Sequence, residues 1–242
     1  PADSDSLILA MNGGRPMAPK LMYEFPRAAM NLELKKGRKF VENFLTRLYG
    51  DQQWHRSVLH DWLMQLSPHY IIDINRDTQL QESYNNRPHT LIVGTARIAA
   101  KDYRFQIHQY DGTAYVNSKE LSSAGFSVDQ IQFPVLFKPM GTPVPEPSFI
   151  ASDADYVDYI TELMGGFAIP KFVKEYRKNK QYLLLGMRLT RDTERMVLSD
   201  MIFDSADATG WALIPEPTAK ERRYCERRQI EIIEADWDKL II

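Results

Sequence analysis

Tyr182-Leu183-Leu184-Leu185-Gly186 is a four-residue apolar run closed by glycine, and what surrounds it decides the fold. After it come a helical segment from about Asp192 to Phe203, an apolar run at Trp211 to Ile214, a helix at Ala219 to Arg227 and a last apolar run at Ile230 to Ile233. Apolar pieces this short, separated by helical spacing, predict strands of a parallel sheet covered on both faces. Toward the N-terminus, a helix near 170 to 178 precedes this unit. Before that, Ser152-x-x-Asp155 opens a helix through Met164 with a capping-box pattern. Pro139, Pro143, Pro145 and Pro147 make the preceding segment an irregular loop with little freedom in φ.

Further upstream, Tyr70 to Ile74 reads as a short strand and Thr78 to Tyr84 as a helix. The middle, from about 89 to 138, is richer in strands: Leu91 to Val93, Tyr103 to Ile107, Ala114 to Val116 and Phe133 to Phe137. Asp111-Gly112 between two of them predicts a hairpin turn. Leu7 to Met11 is apolar and ends in Asn12-Gly13-Gly14-Arg15-Pro16, which predicts a strand entering a turn. Helical spacing from about Tyr23 to Tyr49 breaks at Gly37, and a third helix is expected over Gln53 to Gln65, closed by Ser67-Pro68. The expected architecture is one α/β domain over 1–242: three-layer, Rossmann-like, with a mostly parallel sheet and a β-rich insertion at about 85–135. Ligands in such sheets sit beyond the carboxyl ends of the strands, which would put Gly13, Asn75, Gly141 and Gly186 on one rim.

The chain has 242 residues, 44% hydrophobic and 26% charged, enough for a substantial core and an ordinary solvated surface. A net charge of −2 and a pI near 6.3 argue against a large duplex nucleic-acid footprint. The basic run Lys220 to Arg228, interrupted by Glu221 and Glu226, reads as a solvated helix face. One cysteine, Cys225, permits no intrachain disulfide and no four-cysteine zinc module, and fits a cytoplasmic location. No apolar run is long enough to cross a bilayer, and Pro1 to Ser6 lacks the layout of a secretory signal.

Two motifs carry a resemblance. Ile71-Ile72-Asp73-Ile74-Asn75-Arg76-Asp77 and Lys138-Pro139-Met140-Gly141 resemble the core patterns of the sirtuin-like family, roughly Thr-Thr-Asn-Tyr-Asp and Lys-Leu-His-Gly. Gly37-Arg38, the Ser152-Asp-x-Asp-Tyr156 helix start and Leu183 to Gly186 followed by Arg191-Asp192 extend the likeness. In order and spacing they are similar to bacterial sirtuin-like domains from about Phe25 onward. The resemblance implies NAD or an ADP-ribose-type nucleotide as ligand, with Gly13, Gly14, Asn75, Asp77, Gly141, Gly186 and Arg188 as the candidate binding residues. It also implies a change of chemistry. Met140 stands where the family has the His that works on the NAD ribose, and a thioether cannot accept a proton at neutral pH. Asp73 replaces a Thr, Arg76 a Tyr and Arg188 a Ser.

No catalytic residue is therefore assigned, and no metal. The expected function is a degenerate module, silent as a deacylase, that binds a nucleotide or a protein partner, itself or another; the alternatives are an NAD hydrolase using Asn75 and a purely structural protein. Asn75 and Asp77 carry a second reading as a turn that caps the next helix. Arg76 and Arg188 are expected to pair with Asp73 or Asp192, the alternative being bidentate binding of an anionic ligand. His55 and His60 are awkwardly spaced for one helix face, and His108 reads as a surface strand residue.

Overall fold

The computed structural model describes residues 3–22, 24–98, 103–117, 131, 133–203, 207 and 209–241. Ten strands are found among them: β1 (Tyr70–Ile72), β2 (His89–Gly94), β3 (Phe105–Tyr110), β4 (Tyr115–Asn117), β5 (Val135–Lys138), β6 (Gly141–Thr142), β7 (Ser148–Phe149), β8 (Tyr182–Leu184), β9 (Gly210–Leu213) and β10 (Ile230–Ile233). They form a five-stranded sheet in the order β1-β5-β2-β3-β4, a three-stranded sheet β10-β9-β8 and the short pair β6-β7. The protein is a mixed α/β structure. β1, β5 and β2 run parallel, as do β8, β9 and β10, whereas β3 and β4 add on antiparallel.

Two expectations about the sheet change accordingly. The strand-rich middle takes part in the sheet itself, because β2 pairs with β5 on one side and β3 on the other. Strands expected in one sheet also fall into two, with β1 and β8 each lying at an edge.

Alternation along the central strands sends side chains to two cores. Ile92, Ile107, Val135 and Phe137 pack with the helices Asp153–Met164, Lys171–Tyr176 and Asp192–Met201. Leu91, Val93 and Leu136 pack with Leu80 and Tyr84 on the other side. Helices thus cover both faces of the central strands, which is why β2 and β5 are buried at every position and apolar at most of them, with His89, Thr90 and Lys138 the polar exceptions. A third core sits under β8 to β10.

The N-terminal region departs most from expectation. Ser4–Met11 is a helix capped by Asp3, not a strand; Leu7, Ile8 and Met11, one helical face at i, i+1 and i+4, are buried against the helix Phe25–Lys36. A five-residue apolar run fits either period, and burial on one side by a helix layer selects the helical one. Helices Phe25–Lys36 and Arg38–Thr46 meet at Gly37, whose φ of 86° makes the break. The third helix is shorter than expected, Val58–Leu66, because Ser57 caps its start. Elsewhere the expected signals are realised: the Ser152–Asp155 capping box, the helix Ala219–Arg227 and the Asp111–Ala114 turn between β3 and β4.

Candidate functional site

β1 ends at Ile72, opposite Phe137 of β5, so the next residue, Asp73, arrives beside Lys138. The Asp73 amide donates to the Phe137 carbonyl at 2.8 Å, and the Lys138 ammonium donates to Asp73 Oδ2 at 2.6 Å. Both side chains are almost wholly out of solvent, at 0% exposure for Lys138 and 7% for Asp73. Asp73 Oδ1 accepts the Asn75 amide at 3.0 Å, so one carboxylate fixes both the strand end and the loop after it. Two residues beyond Lys138, Met140 is buried, and its sulfur accepts a hydrogen bond from the Tyr156 hydroxyl at 3.3 Å.

Arg76 completes this wall. Its guanidinium donates to the Ile150 carbonyl at 2.5 Å and to the Tyr156 hydroxyl at 3.4 Å, and lies 5.4 Å from the centre of the Phe25 ring. It does not pair with Asp73, as expected from the sequence, because Lys138 on the neighbouring strand already occupies that carboxylate.

A cleft of 790 Å³ opens at this point. One side is β1 and the loop after it, from Tyr70 to Arg76, with Met140 and Tyr156; the other is β8 and the turn after it, Tyr182 to Met187, with the start of the helix Asp192–Met201. Its floor is apolar and aromatic. Burial raises the Tyr70 and Tyr182 hydroxyls, the latter to about 12, so both stay protonated. Polar residues lie on both sides of the strands in sequence: Asp73, Asn75, Arg76, Arg191, Thr193 and Glu194 follow them, and His69, Lys180 and Gln181 precede them. Burial pushes the Glu194 carboxyl up, against the opposing pull of Arg191 and the Arg191 amide it accepts.

The cleft brings together some of the sequence-derived candidates and leaves others aside. Asn75 is exposed in it, and among the described residues its side chain has no hydrogen-bond partner. Gly186 lines it too, with φ 64° and room for a Cβ. Gly13 and Gly14 lie at the C-terminal end of the first helix, where their amides donate to Ala10 and Leu9 carbonyls at 3.2 and 2.8 Å. Asp77 accepts the Gln79 amide at 2.9 Å, holding the turn that leads into the helix Gln79–Ser83, whose N-cap position is Thr78. Gly141 (φ 89°) begins β6 and passes so close to β7 that a Cβ would lie 1.9 Å from the Ser148 carbonyl oxygen. None of these four is among the residues lining the cleft.

Arg188 also stands apart. It forms its ion pair with Glu221 at 2.9 Å rather than with Asp192, which Arg195 takes. Burial works to raise the Glu221 carboxyl. The Arg188 guanidinium, the Thr218 amide and hydroxyl and the Leu189 amide outweigh it and hold the group at about 2. His108 is not a surface residue: it is 1% exposed, neither ring nitrogen has a partner among the described residues, and burial lowers its pKa. Sequence reasoning missed Lys138 as half of a buried ion pair; the signal was a charged residue ending an otherwise apolar strand, with a second charge, Asp73, immediately after another.

Residues 69–233 match the SIR2-like domain family, a span covering more than half of the chain and including Asp73 to Asp77, Lys138 to Gly141 and Gly186. The chain belongs to the SIR2-like family. Membership gives it an NAD-related function in general. No curated protein matches it. The residues at the cleft suit a nucleotide: an amide, guanidinium groups and a helix start stand at the strand ends, above an aromatic floor. Among the described residues no group of His, Cys, Asp and Glu could hold a metal ion, and no helix is long and apolar enough to cross a membrane.

Proposed function

We propose that this chain is a nucleotide-binding SIR2-like domain, with Rossmann-like layering, that takes NAD or an ADP-ribose-type ligand and does not act as a deacylase. The observation that carries the reading is the open 790 Å³ cleft between the strand ends of β1 and β8, with Asn75 and Gly186 on its two sides. A volume of this size is ordinary for small-molecule sites, and a purely structural protein has no need to keep it open. Within it, Asn75 offers an amide that both donates and accepts, suited to a ribose. Arg76, Arg191 and the start of the helix Asp192–Met201 supply positive charge for phosphates. Silence as a deacylase follows from Met140: it lines the cleft, and its thioether, bonded by Tyr156, has no proton-accepting role to offer.

Thermal unfolding with NAD, ADP-ribose and unrelated nucleotides tests this. Binding to the native state raises the melting temperature, by about 2.7 kcal/mol of stabilisation at a hundredfold excess over Kd. Asn75→Ala should abolish most of the rise. No shift at millimolar ligand would favour the structural reading. A second reading, hydrolysis of NAD, draws on the unengaged Asn75 side chain beside a carboxylate in the same cleft.

A further inference from the structure

β1 and β8 are both sheet edges, and both line the cleft. On β1, the Asp73 amide donates to the Phe137 carbonyl and the His69 carbonyl accepts the Val135 amide, so the backbone groups of His69 and Asp73 turn toward β5. With a strand period of two, the N–H and C=O of Tyr70 and Ile72 turn the other way. On β8, the Tyr182 amide donates to the Thr209 carbonyl at 2.8 Å, on the β9 side, which leaves the backbone groups of Leu183 facing away from β9. Among the described residues no strand pairs with β1 or β8 on these sides.

Unpaired edges are ordinarily blunted by charge, proline or a bulge. Neither edge carries such a device: β1 reads Tyr70-Ile71-Ile72 and β8 Tyr182-Leu183-Leu184, whereas the outer edge strand β10 carries Glu231. The cleft between them is lined by both cores. Leu63 and Ile71 extend the core of Leu91 and Leu136, while Val197 and Met201 belong to the opposite core with Ile92 and Phe137, and all four line the opening. An occupant therefore meets backbone donors and acceptors along its sides and apolar side chains above and below. An extended polypeptide satisfies both at once; a nucleotide has no such run of alternating amide and carbonyl groups.

We infer that β1 and β8 form a docking site for one strand of a partner polypeptide, which pairs with both edges and joins the two sheets into one. The strand is apolar at successive positions, because both faces of the cleft are apolar. In this it matches β2, whose Leu91, Ile92 and Val93 lie inside the sheet at 1% exposure or less. Three residues on each edge set a ladder of roughly 10 Å. The inference goes beyond the nucleotide reading: the strand takes the apolar floor, and the loops after β1 and β8, with Asn75, Arg76 and Arg191, stay available to a ligand.

The test uses a synthetic peptide with the Thr90 to Gly94 sequence of β2 between lysine pairs. Its control carries proline in place of the isoleucine, which keeps the apolar character but removes the central N–H. Amide exchange and thermal unfolding of the full chain are followed with each. At about ten times its Kd, the first peptide should slow exchange at Tyr70, Ile72 and Leu183 about tenfold and raise the melting temperature. The proline peptide should do neither. Leu183→Glu, at a side chain 46% exposed, should keep the fold and weaken the response, since it sets a charge beside the apolar strand. Equal responses to the two peptides would make the cleft a general apolar pocket and overturn the inference. So would no slowing by either peptide at millimolar concentration. Protection of these three amides without peptide, in a chain that sediments as a dimer, would overturn it in favour of a second copy at the edges.

Discussion

Gly141 and Glu221 show how much single residues decide here. At Gly141 the backbone has φ 89°, and a Cβ would meet the Ser148 carbonyl oxygen at 1.9 Å, a backbone atom that cannot swing aside. Gly141→Ala should therefore cost about 3 kcal/mol or more in chemical denaturation, and an unchanged midpoint would show that β6 and β7 can separate freely. Glu221 makes a pH prediction with a definite sign. Its folded pKa, about 2, lies below its ordinary 4.5, so its contribution to stability is complete above about pH 4.5 and disappears as the pH falls toward 2. Because Arg188 is half exposed, the contribution is about 1–2 kcal/mol at neutral pH. Acid unfolding of Glu221→Gln should lack this part of the pH dependence; a parallel loss in both proteins would count against it.

Among the elements, the helix Asp153–Met164 carries the clearest prediction. Ser152 caps it, accepting the Asp155 amide, and Asp155 returns the bond by accepting the Ser152 and Ala151 amides at 3.1 Å. Asp155 does a second job: at 3% side-chain exposure it pairs with Arg38, which begins the helix after Gly37, and Arg97 stands 3.6 Å away. The neighbouring Arg97 pairs with Glu33, and Arg104 grips Asp158 with two bonds. Ser152→Ala should cost about 1 kcal/mol, the usual worth of a cap. Asp155→Ala should cost about 2 kcal/mol or more, since it leaves two amides and the Arg38 guanidinium without their partner. Equal costs for the two would mean that the ion-pair network holds nothing together. The cap was legible as a spacing; the network was not, because Glu33, Arg38, Arg97 and Asp155 are far apart in the chain and meet only when the helices pack.

For the whole molecule, division into two sheets sets a gradient of protection. Leu91 to Val93 of β2 lie inside the five-stranded sheet with at most 1% exposure, whereas β1 and β8 are edges facing the cleft. Amide exchange should be slowest in β2 and faster at Tyr70, Ile72 and Leu183, and a bound nucleotide should slow the latter group selectively. Uniform protection without ligand would mean that the cleft is closed in solution. Most elements from Tyr70 onward could be read in advance because each carries a local signal: the apolar runs of β1 and β8, the caps at Ser152 and Thr218, the turn at Asp111. Leu7 to Met11 could not, since five apolar residues suit a strand or a helix until a neighbour is present. His108 failed for the same reason, as its environment is set by Leu91 of β2 directly across from it and the Tyr115 ring of β4, not by its own sequence.

By itself, the sequence determined the alternation of strands and helices and the family likeness carried by Asp73 to Asp77 and Lys138 to Gly141. These follow from period, capping and residue type, all of them short-range. Only the tertiary structure decided which charges pair, that Arg76 turns to the Ile150 carbonyl while Lys138 takes Asp73, and that Asn75 and Gly186 line one cleft while Gly13 and Gly14 do not. Pairing between distant residues depends on which strand ends lie side by side, and strand order is fixed by the burial of both sheet faces at once rather than by any one segment.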